Sequence, residues 1–365
     1  MTLDDLLKAT VTHEASDLLL KAGAKPALRV HGRVGSLSAE PLTPEFTQQA
    51  MAEITTERQR QTFEREGEVD LSHDAPDIGR FRVNVYKQRG LVGLVFRHVK
   101  REISSLQELN LPQETLIKFC SHSRGLLLVT GVTGCGKSTT LAALVEHINQ
   151  TQHKHIVTIE DPIEFLYEDK KSLVEQREIW EDTMSFGSAM RHVVRQAPDV
   201  ILIGEMRDQE TMAAALNAAE TGHLVLSTLH TVNVSQTVER IINFFPQHQH
   251  DLIRLQLSMI LVGAASLRLV PRADGKGRVP AVEILTGSPR VRELLHDGRT
   301  VDLYQAIREG GFFGMQTFNQ SLKQWVEKGV VKLEDAMAAA DDPDELRLEL
   351  EGVTGASQRG EIVLE

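Results

Sequence analysis

The sequence predicts an α/β protein with more than one domain, and three observations carry this prediction. The chain has 365 residues, more than one hydrophobic core usually serves. Beyond residue 125, short apolar strands alternate with helical stretches, which is typical of a parallel sheet covered on both faces. A glycine-rich turn, Gly131–Thr139, separates the first of these strands from a helix.

The composition is that of a globular protein, with 41% hydrophobic and 25% charged residues. The net charge of −11 argues against nonspecific nucleic-acid binding, because the surface would repel a phosphate polymer overall. No apolar run approaches the length of about 18 residues that a membrane span requires, and the N-terminal residues lack the pattern of a signal peptide. We therefore expect a cytoplasmic protein. Cys120 and Cys135 form no Cys-x-x-Cys pair, so neither a zinc site nor a disulfide framework is indicated.

The first hundred residues are predicted to form a small α/β domain. A helix is expected from the cap residue Thr43 towards Phe63, and strands are expected at 27–34, 79–86 and 91–97. Arg82 and Arg97 each follow a phenylalanine, and the two-residue period of a strand places each arginine opposite its phenylalanine. Ordinary solvated charges are the better explanation for most strand arginines, and the repetition of the arrangement raises the case for a function. Residues 101–112 are the predicted linker.

The glycine-rich turn predicts a phosphate-binding loop. Glycines let backbone N–H groups point at a phosphate, and the helix N-terminus behind them adds about half a positive charge. Lys137 is expected to reach the β- and γ-phosphates of ATP, and the Ser138 hydroxyl to hold Mg²⁺. The predicted nucleotide-binding residues are Gly131, Val132, Thr133, Gly134, Cys135, Gly136, Lys137, Ser138 and Thr139.

Cys135 carries a hypothesis of its own. The pKa of a thiol at a helix N-terminus tends to fall, so oxidation or alkylation of Cys135 is expected to block ATP binding. The alternative is a small residue that merely fits the loop.

Phosphoryl transfer to water needs a magnesium ligand, a base and cations near the γ-phosphate. Glu205 ends the apolar run 200–204, so it lies at the carboxyl end of a buried strand, where ligands bind in such sheets. It is the predicted magnesium-side acid, directly or through water. The segment Glu160–Glu164 places three carboxylates after another strand, and their crowding favours a base or metal site. Glu164 is assigned as the general base.

Two histidines bracket the strand predicted at 224–228. His230 follows that strand, where a γ-phosphate sensor would lie, and His223 precedes it. Neither histidine has a second ligand at metal-binding spacing, so zinc is not indicated.

The C-terminal third is predicted to be mostly helical. Helices are expected near 249–265, 301–310, 315–328 and 332–340, with a strand at 279–284. The tail, residues 351–365, mixes Gly, Ser, Thr and charge and is predicted to be disordered.

Four segments together resemble the Walker A, Asp, Walker B and His boxes of the secretion-superfamily hexameric ATPases. They are Gly131–Thr139, Thr158–Phe165, Ala197–Asp208 and Ala219–Thr231. Within that superfamily, the chain most resembles the type IV pilus retraction (twitching motility) ATPases, the PilT/PilU family, over roughly residues 1–350. Gly79–Asn84 and Gly314–Leu322, which general Walker proteins lack, add to this resemblance.

The resemblance implies a PAS-like domain at 1–100, a linker at 101–112 and a RecA-like P-loop ATPase domain at 113–350 with a mostly helical C-terminal portion. It also implies a homohexameric ring with nucleotide between the domains. The residue roles that it carries over are Glu164 as catalytic glutamate, Glu205 as Walker B acid, His230 with His223 as the His-box pair, and Arg82 with Arg97 as arginines that reach the nucleotide when the domains close.

The implied function is ATP hydrolysis that drives pilus retraction against an inner-membrane platform protein, at the cytoplasmic side of that membrane and without nucleic acid. One alternative is an accessory, weakly hydrolysing ring that supports a paralogous retraction ATPase, as PilU-like features of the acidic stretch 344–350 suggest. Another is a pilus assembly or type II secretion ATPase, but the tetracysteine motif of those relatives is absent from the sequence. Ser288–Leu295 stands where retraction ATPases carry an Ala-Ile-Arg-Asn-Leu motif, and only the arginine and leucine spacing of that motif is kept.

Overall fold

The computed structural model describes residues 2–30, 32–99 and 102–351. Contacts between residues divide the chain into two units. The first runs to Glu102 and includes Glu164–Leu166, and the second comprises Ile103–Ile163 and the chain from Tyr167 onward. Each unit contains its own sheet, which confirms the predicted α/β class. The predicted disordered tail lies outside the described residues, except for Glu351.

The first unit folds around a six-stranded sheet of order β3-β2-β1-β6-β5-β4, with each neighbouring pair antiparallel. Phe81 and Phe96 are buried, while Arg82 and Arg97 lie directly opposite each other on neighbouring strands. This arrangement confirms that each arginine points away from its phenylalanine. The elements are α1 (Leu3–Thr12), β1 (Asp17–Lys21), β2 (Ala27–Val30), β3 (Arg33–Ser36), α2 (Pro44–Ile54), α3 (Glu57–Glu66), β4 (Glu68–Ala75), β5 (Gly79–Gln88) and β6 (Leu91–Val99).

Two predictions for this unit were wrong in detail, and in both cases a local signal interrupts the element. The strand predicted at 27–34 is a hairpin of β2 and β3, with Gly32 in the left-handed region at φ +79°. The helix predicted from Thr43 to Phe63 is two helices. Thr56 begins the second one through a capping box with Gln59, which gives the chain a new start within the predicted span.

The second unit folds around a seven-stranded sheet of order β13-β12-β7-β11-β10-β8-β9, parallel except for the antiparallel β12–β13 pair. Alternate residues of β7 enter two separate cores, Leu126 and Leu128 in one and Leu127 and Val129 in the other. Both faces are therefore covered, as predicted. The strands are β7 (Gly125–Thr130), β8 (His155–Glu160), β9 (Leu173–Glu178), β10 (Val200–Ile203), β11 (Leu224–Leu229), β12 (Leu261–Pro271) and β13 (Arg278–Thr286).

Helices pack on both sides of this sheet and continue towards the C-terminus. They are α4 (Gln113–Cys120), α5 (Lys137–Thr151), α6 (Phe186–Val193), α7 (Gln209–Glu220), α8 (Val234–Asn243), α9 (His250–Ile260), α10 (Pro289–His296), α11 (Leu303–Glu309), α12 (Phe318–Glu327), α13 (Leu333–Ala339) and α14 (Pro343–Leu350). Within the described ranges, no helix combines the length and the apolar content needed to cross a bilayer.

The predicted C-terminal end of the helix at 249–265 was wrong. It stops at Ile260, and residues 261–271 form β12 between β7 and β13. Sequence periodicity cannot separate a fully apolar strand from a buried helix, so only the pairing with neighbouring strands shows that residues 261–271 form a strand. A Cβ at Gly263 would lie 2.4 Å from the Phe119 ring. The predicted linker falls mainly in this unit, with Leu106 and Leu111 in its core.

Candidate functional site

The glycine-rich turn connects β7 to α5 at the carboxyl edge of the parallel sheet. Gly131, Gly134 and Gly136 have φ values of +139°, +78° and +99°, which favour glycine. At Gly131 a Cβ would also come within 2.6 Å of the Leu267 carbonyl oxygen and 2.5 Å of the Cys135 sulfur. Steric space and backbone conformation therefore both specify the loop that the sequence predicts.

Lys137, the first residue of α5, directs its ammonium group back over this loop. Its Nζ donates to the carbonyl oxygens of Gly131 at 2.8 Å and Val132 at 3.1 Å, and lies 3.4 Å from His230 Nδ1. The residue is buried, so the charge is held in place by the loop backbone. Ser138, the next residue, is exposed in the first turn of α5.

Two predicted site residues come together at the ends of β10 and β11. Parallel strands end at one edge of a sheet, and Glu205 and His230 each follow such an end. His230 Nε2 lies 3.3 Å from Glu205 Oε1, while its other ring nitrogen faces Lys137. The imidazole thus bridges the predicted magnesium-side acid and the lysine of the predicted phosphate-binding loop.

Arg207 also belongs to this group, although its sequence position alone predicts no role for it. Its Nε donates to Glu205 Oε2 at 2.8 Å, and its Nη1 lies 3.7 Å from Asp161 Oδ2. The arginine therefore links the ends of β8 and β10. Its position two residues after Glu205, beyond a strand end, was the available signal.

The three carboxylates of the acidic segment do not form the predicted cluster. Glu160 accepts hydrogen bonds from the side chains of Thr158 and Gln176 at 2.8 and 3.1 Å. Asp161 faces Arg207, as described above. Glu164 belongs to the first unit, where its Oε1 lies 3.5 Å from Arg82 Nη1. Each carboxylate thus has its own partners.

The predicted low pKa of Cys135 was wrong. The residue is 3% exposed, and burial raises the pKa of its thiol above the usual value, although the Lys137 charge and backbone N–H groups act in the opposite direction. Its sulfur packs against the Gly131 backbone. Cys135 is therefore a small buried residue that fits the loop.

Comparisons with known proteins place this chain in a family. Residues 9–338 match the model described as Type II/IV secretion system protein. The chain belongs to this family. It is 42% identical to the type IV pilus retraction ATPase PilT of Pseudomonas aeruginosa, over 94% of this chain and 99% of PilT. It is also 42% identical to the type IV pilus ATPase PilU of the same species, over 95% of this chain and 91% of PilU.

A solved structure gives the same result for the fold. The crystal structure of the pilus retraction motor PilT with bound ADP superposes with a TM-score of 0.89 at 44% identity, covering 95% of this chain and 99% of that one. These findings confirm the resemblance to the PilT/PilU members of the type II/IV secretion family.

In this member of the family, the structure does not bring His223 to the group around Glu205. His223 precedes β11, while His230 follows it, and a six-residue strand is about 20 Å long. Its Nδ1 lies 3.0 Å from the Ala218 carbonyl oxygen. The position before the strand was a signal against placing both histidines at one edge, and a catalytic role for His223 stays a prediction.

Arg97 is held within the first unit. Its Nε lies 2.9 Å from Asp17 Oδ1, and Arg29 contacts the other carboxylate oxygen at 3.2 Å. The Asp17 side chain is only 6% exposed, whereas that of Arg97 is 64% exposed. Asp17 therefore orients an otherwise exposed arginine.

Proposed function

We propose that this chain is an ATP-hydrolysing motor subunit that drives type IV pilus retraction. The observation that carries the proposal is the contact series Lys137–His230–Glu205 beside a loop whose three glycines have positive φ. It joins a phosphate-binding cation to an acid at the neighbouring strand ends. Two pilus ATPases, PilT and PilU, align with nearly the whole chain and supply the pilus context.

In the proposed reaction, the backbone N–H groups of Gly131–Thr139 hold the phosphates of ATP. Lys137 neutralises charge on the β- and γ-phosphates, and His230 senses the γ-phosphate from the end of β11. Since His230 contacts both Lys137 and Glu205, loss of the γ-phosphate changes the surroundings of both groups. That change is the event a motor converts into movement.

Ser138 and Glu205 are the residues proposed to hold Mg²⁺. In the described parts of the chain, no group of three or more His, Cys, Asp or Glu side chains is arranged as a metal site. A hydroxyl and one carboxylate nevertheless suit Mg²⁺, which binds few protein ligands and takes phosphates and waters for the rest. When bound, Mg²⁺ would neutralise part of the negative charge on the phosphates.

Glu164 is proposed as the general base and Arg82 as its partner. Their side chains are 43% and 38% exposed and lie 3.5 Å apart, so a carboxylate and a cation are placed together without burial. Arg97, held by Asp17, is proposed as a second arginine that reaches the nucleotide.

The assembly and its setting are part of the same proposal. We infer a homohexamer at the cytoplasmic side of the inner membrane, working against the pilus platform protein. Its proposed domains are a PAS-like domain at 1–100 and a RecA-like domain at 113–350, joined by a linker at 101–112. The alternative is an accessory ring beside a paralogous retraction ATPase. The equal identity to PilU, 42%, favours keeping this alternative.

ATP turnover by the purified full-length protein separates the two. We expect the wild type to hydrolyse ATP and Glu164→Gln to lose at least 100-fold in rate, with Glu168→Gln, an exposed neighbour, unchanged. A wild-type rate no higher than that of Glu164→Gln would contradict the motor and support the accessory role. A strain lacking the gene should be hyperpiliated and unable to twitch.

A further inference from the structure

The loop between β11 and α8 begins at His230 and is fixed by buried hydroxyl groups behind it. Thr231 Oγ1 lies 2.6 Å from Thr237 Oγ1 on α8. The Thr237 hydroxyl also lies 3.4 Å from Thr130 Oγ1, which in turn lies 2.6 Å from Ser266 Oγ. All four residues are buried. Because Thr130 directly precedes Gly131, this chain of hydroxyls connects the base of the phosphate loop to the loop of His230.

Two ionisable side chains of the β12–β13 hairpin hold the same loop. Glu283, on β13 and 2% exposed, accepts a hydrogen bond from the backbone N–H of Val234 at 2.7 Å. Val234 opens α8, so the carboxylate meets an unpaired N–H at the positive end of a helix. Arg268, on β12, donates to the Val232 carbonyl oxygen at 3.3 Å.

Arg268 is itself fixed from the C-terminal helices. Its guanidinium lies over the Phe318 ring, 3.8 Å from the centroid, and donates to the Ala339 carbonyl oxygen at 2.7 Å. It also pairs with Asp341. A planar cation fixed on several sides has little freedom to follow a moving loop, so it is suited to hold Val232 in one place.

We propose that Glu283 and Arg268 are positioning residues for His230. They hold the backbone that follows it and thereby keep the imidazole between Lys137 and Glu205. The His230 side chain is 43% exposed and meets these two groups at 3.4 and 3.3 Å, so its place depends on its own backbone more than on surrounding packing. This inference rests on the proposed ATPase function.

A substitution pair at position 283 tests the positioning role. Glu283→Gln keeps an oxygen acceptor for Val234 N–H, and Glu283→Leu removes it at similar volume. We expect the Leu variant to lose about tenfold in single-turnover ATP hydrolysis, because the buried Val234 N–H is left without its acceptor. The Gln variant should stay within about twofold of wild type. Affinity for ADP, which lacks the γ-phosphate, should be unchanged in both.

A double-mutant cycle shows whether the loss passes through His230. In a His230→Ala background the Leu substitution should lower the rate less than twofold, because nothing remains to be positioned. A full tenfold loss in that background would overturn the proposal, as would equal rates for the Leu and Gln variants.

A second pair covers the case in which Glu283→Leu fails to fold. Thr231→Val removes the hydroxyl that meets Thr237, and Thr231→Ser keeps it. We expect a severalfold loss for Val only, again absent in the His230→Ala background. Loss in both variants would contradict the proposal. If wild type itself hydrolyses no ATP, the proposed function fails. If wild type is active and the cycles are additive, only the positioning role fails.

Discussion

Glu283 makes the stability of the second unit depend on pH, and Glu283→Gln should remove that dependence. Burial raises the pKa of Glu283 to about 7, from a usual value of 4.5. The Asp341 charge acts in the same direction, whereas Arg268 and the Val234 N–H favour the ionised form. The folded chain therefore holds this proton more tightly than the unfolded chain does.

This difference in proton binding determines whether stability rises or falls with pH. The contribution of Glu283 to stability is greatest below pH 4.5, falls as pH rises towards 7 and is constant above it. The two pKa values differ by about 2.5 units, and one unit corresponds to about 1.4 kcal/mol. Between pH 5 and pH 8 the wild type should lose about 2 to 3 kcal/mol that the Gln variant keeps. For a domain of this size, that is about 5–10 °C in Tm.

Calorimetry of wild type and Glu283→Gln from pH 5 to pH 8 measures this effect. The variant should gain in Tm relative to wild type as pH rises, while Glu327→Gln, whose side chain is 56% exposed, should follow wild type throughout. Parallel Tm curves for wild type and Glu283→Gln would contradict this prediction, because they would show that Glu283 binds protons equally in the folded and unfolded states.

Three further predictions concern the site. Lys137→Ala should weaken ATP binding at least 100-fold, since it removes the cation proposed to meet the phosphates, and its circular dichroism spectrum should be unchanged. Tight ATP binding by that variant would contradict the assignment of the loop. Arg82→Ala should lower kcat about tenfold with little change in ATP affinity, whereas the control Arg33→Ala should leave both kcat and ATP affinity unchanged. An equal loss of rate and affinity in Arg82→Ala would mean that Arg82 has a binding role. Alkylation of Cys135 by iodoacetamide at pH 7.5 should be at least tenfold slower in native than in unfolded protein, and equal rates would show that the thiol is accessible.

Local sequence patterns predicted the parts of the fold that local chemistry specifies. The conformation of the loop Gly131–Thr139 is one case, because the glycine spacing and the preceding strand determine both its backbone conformation and its position. The meeting of Glu205 and His230 is another, since parallel strands share one carboxyl edge. The strand β12 could not be predicted in this way, because its apolar residues fit a buried helix equally well and only pairing with β7 and β13 decides.

The contacts of the site depend on tertiary structure that no short pattern contains. Arg207 reaches Asp161 across two strands that are separated by about 40 residues of chain. The raised thiol pKa of Cys135 comes from burial against the β7–α5 turn, whereas the pattern showed only its place at a helix N-terminus. Glu283 likewise contacts Val234 at the start of α8 only through tertiary structure, because the two residues are far apart in the chain.

The most direct test of the account is a crystal structure of this protein with a non-hydrolysable ATP analogue and Mg²⁺. We expect the triphosphate to lie in the loop Gly131–Thr139, with its β- and γ-phosphates against Lys137 and the metal between Ser138 and Glu205. Density for the analogue at any other place, with this loop free of phosphate, would contradict it.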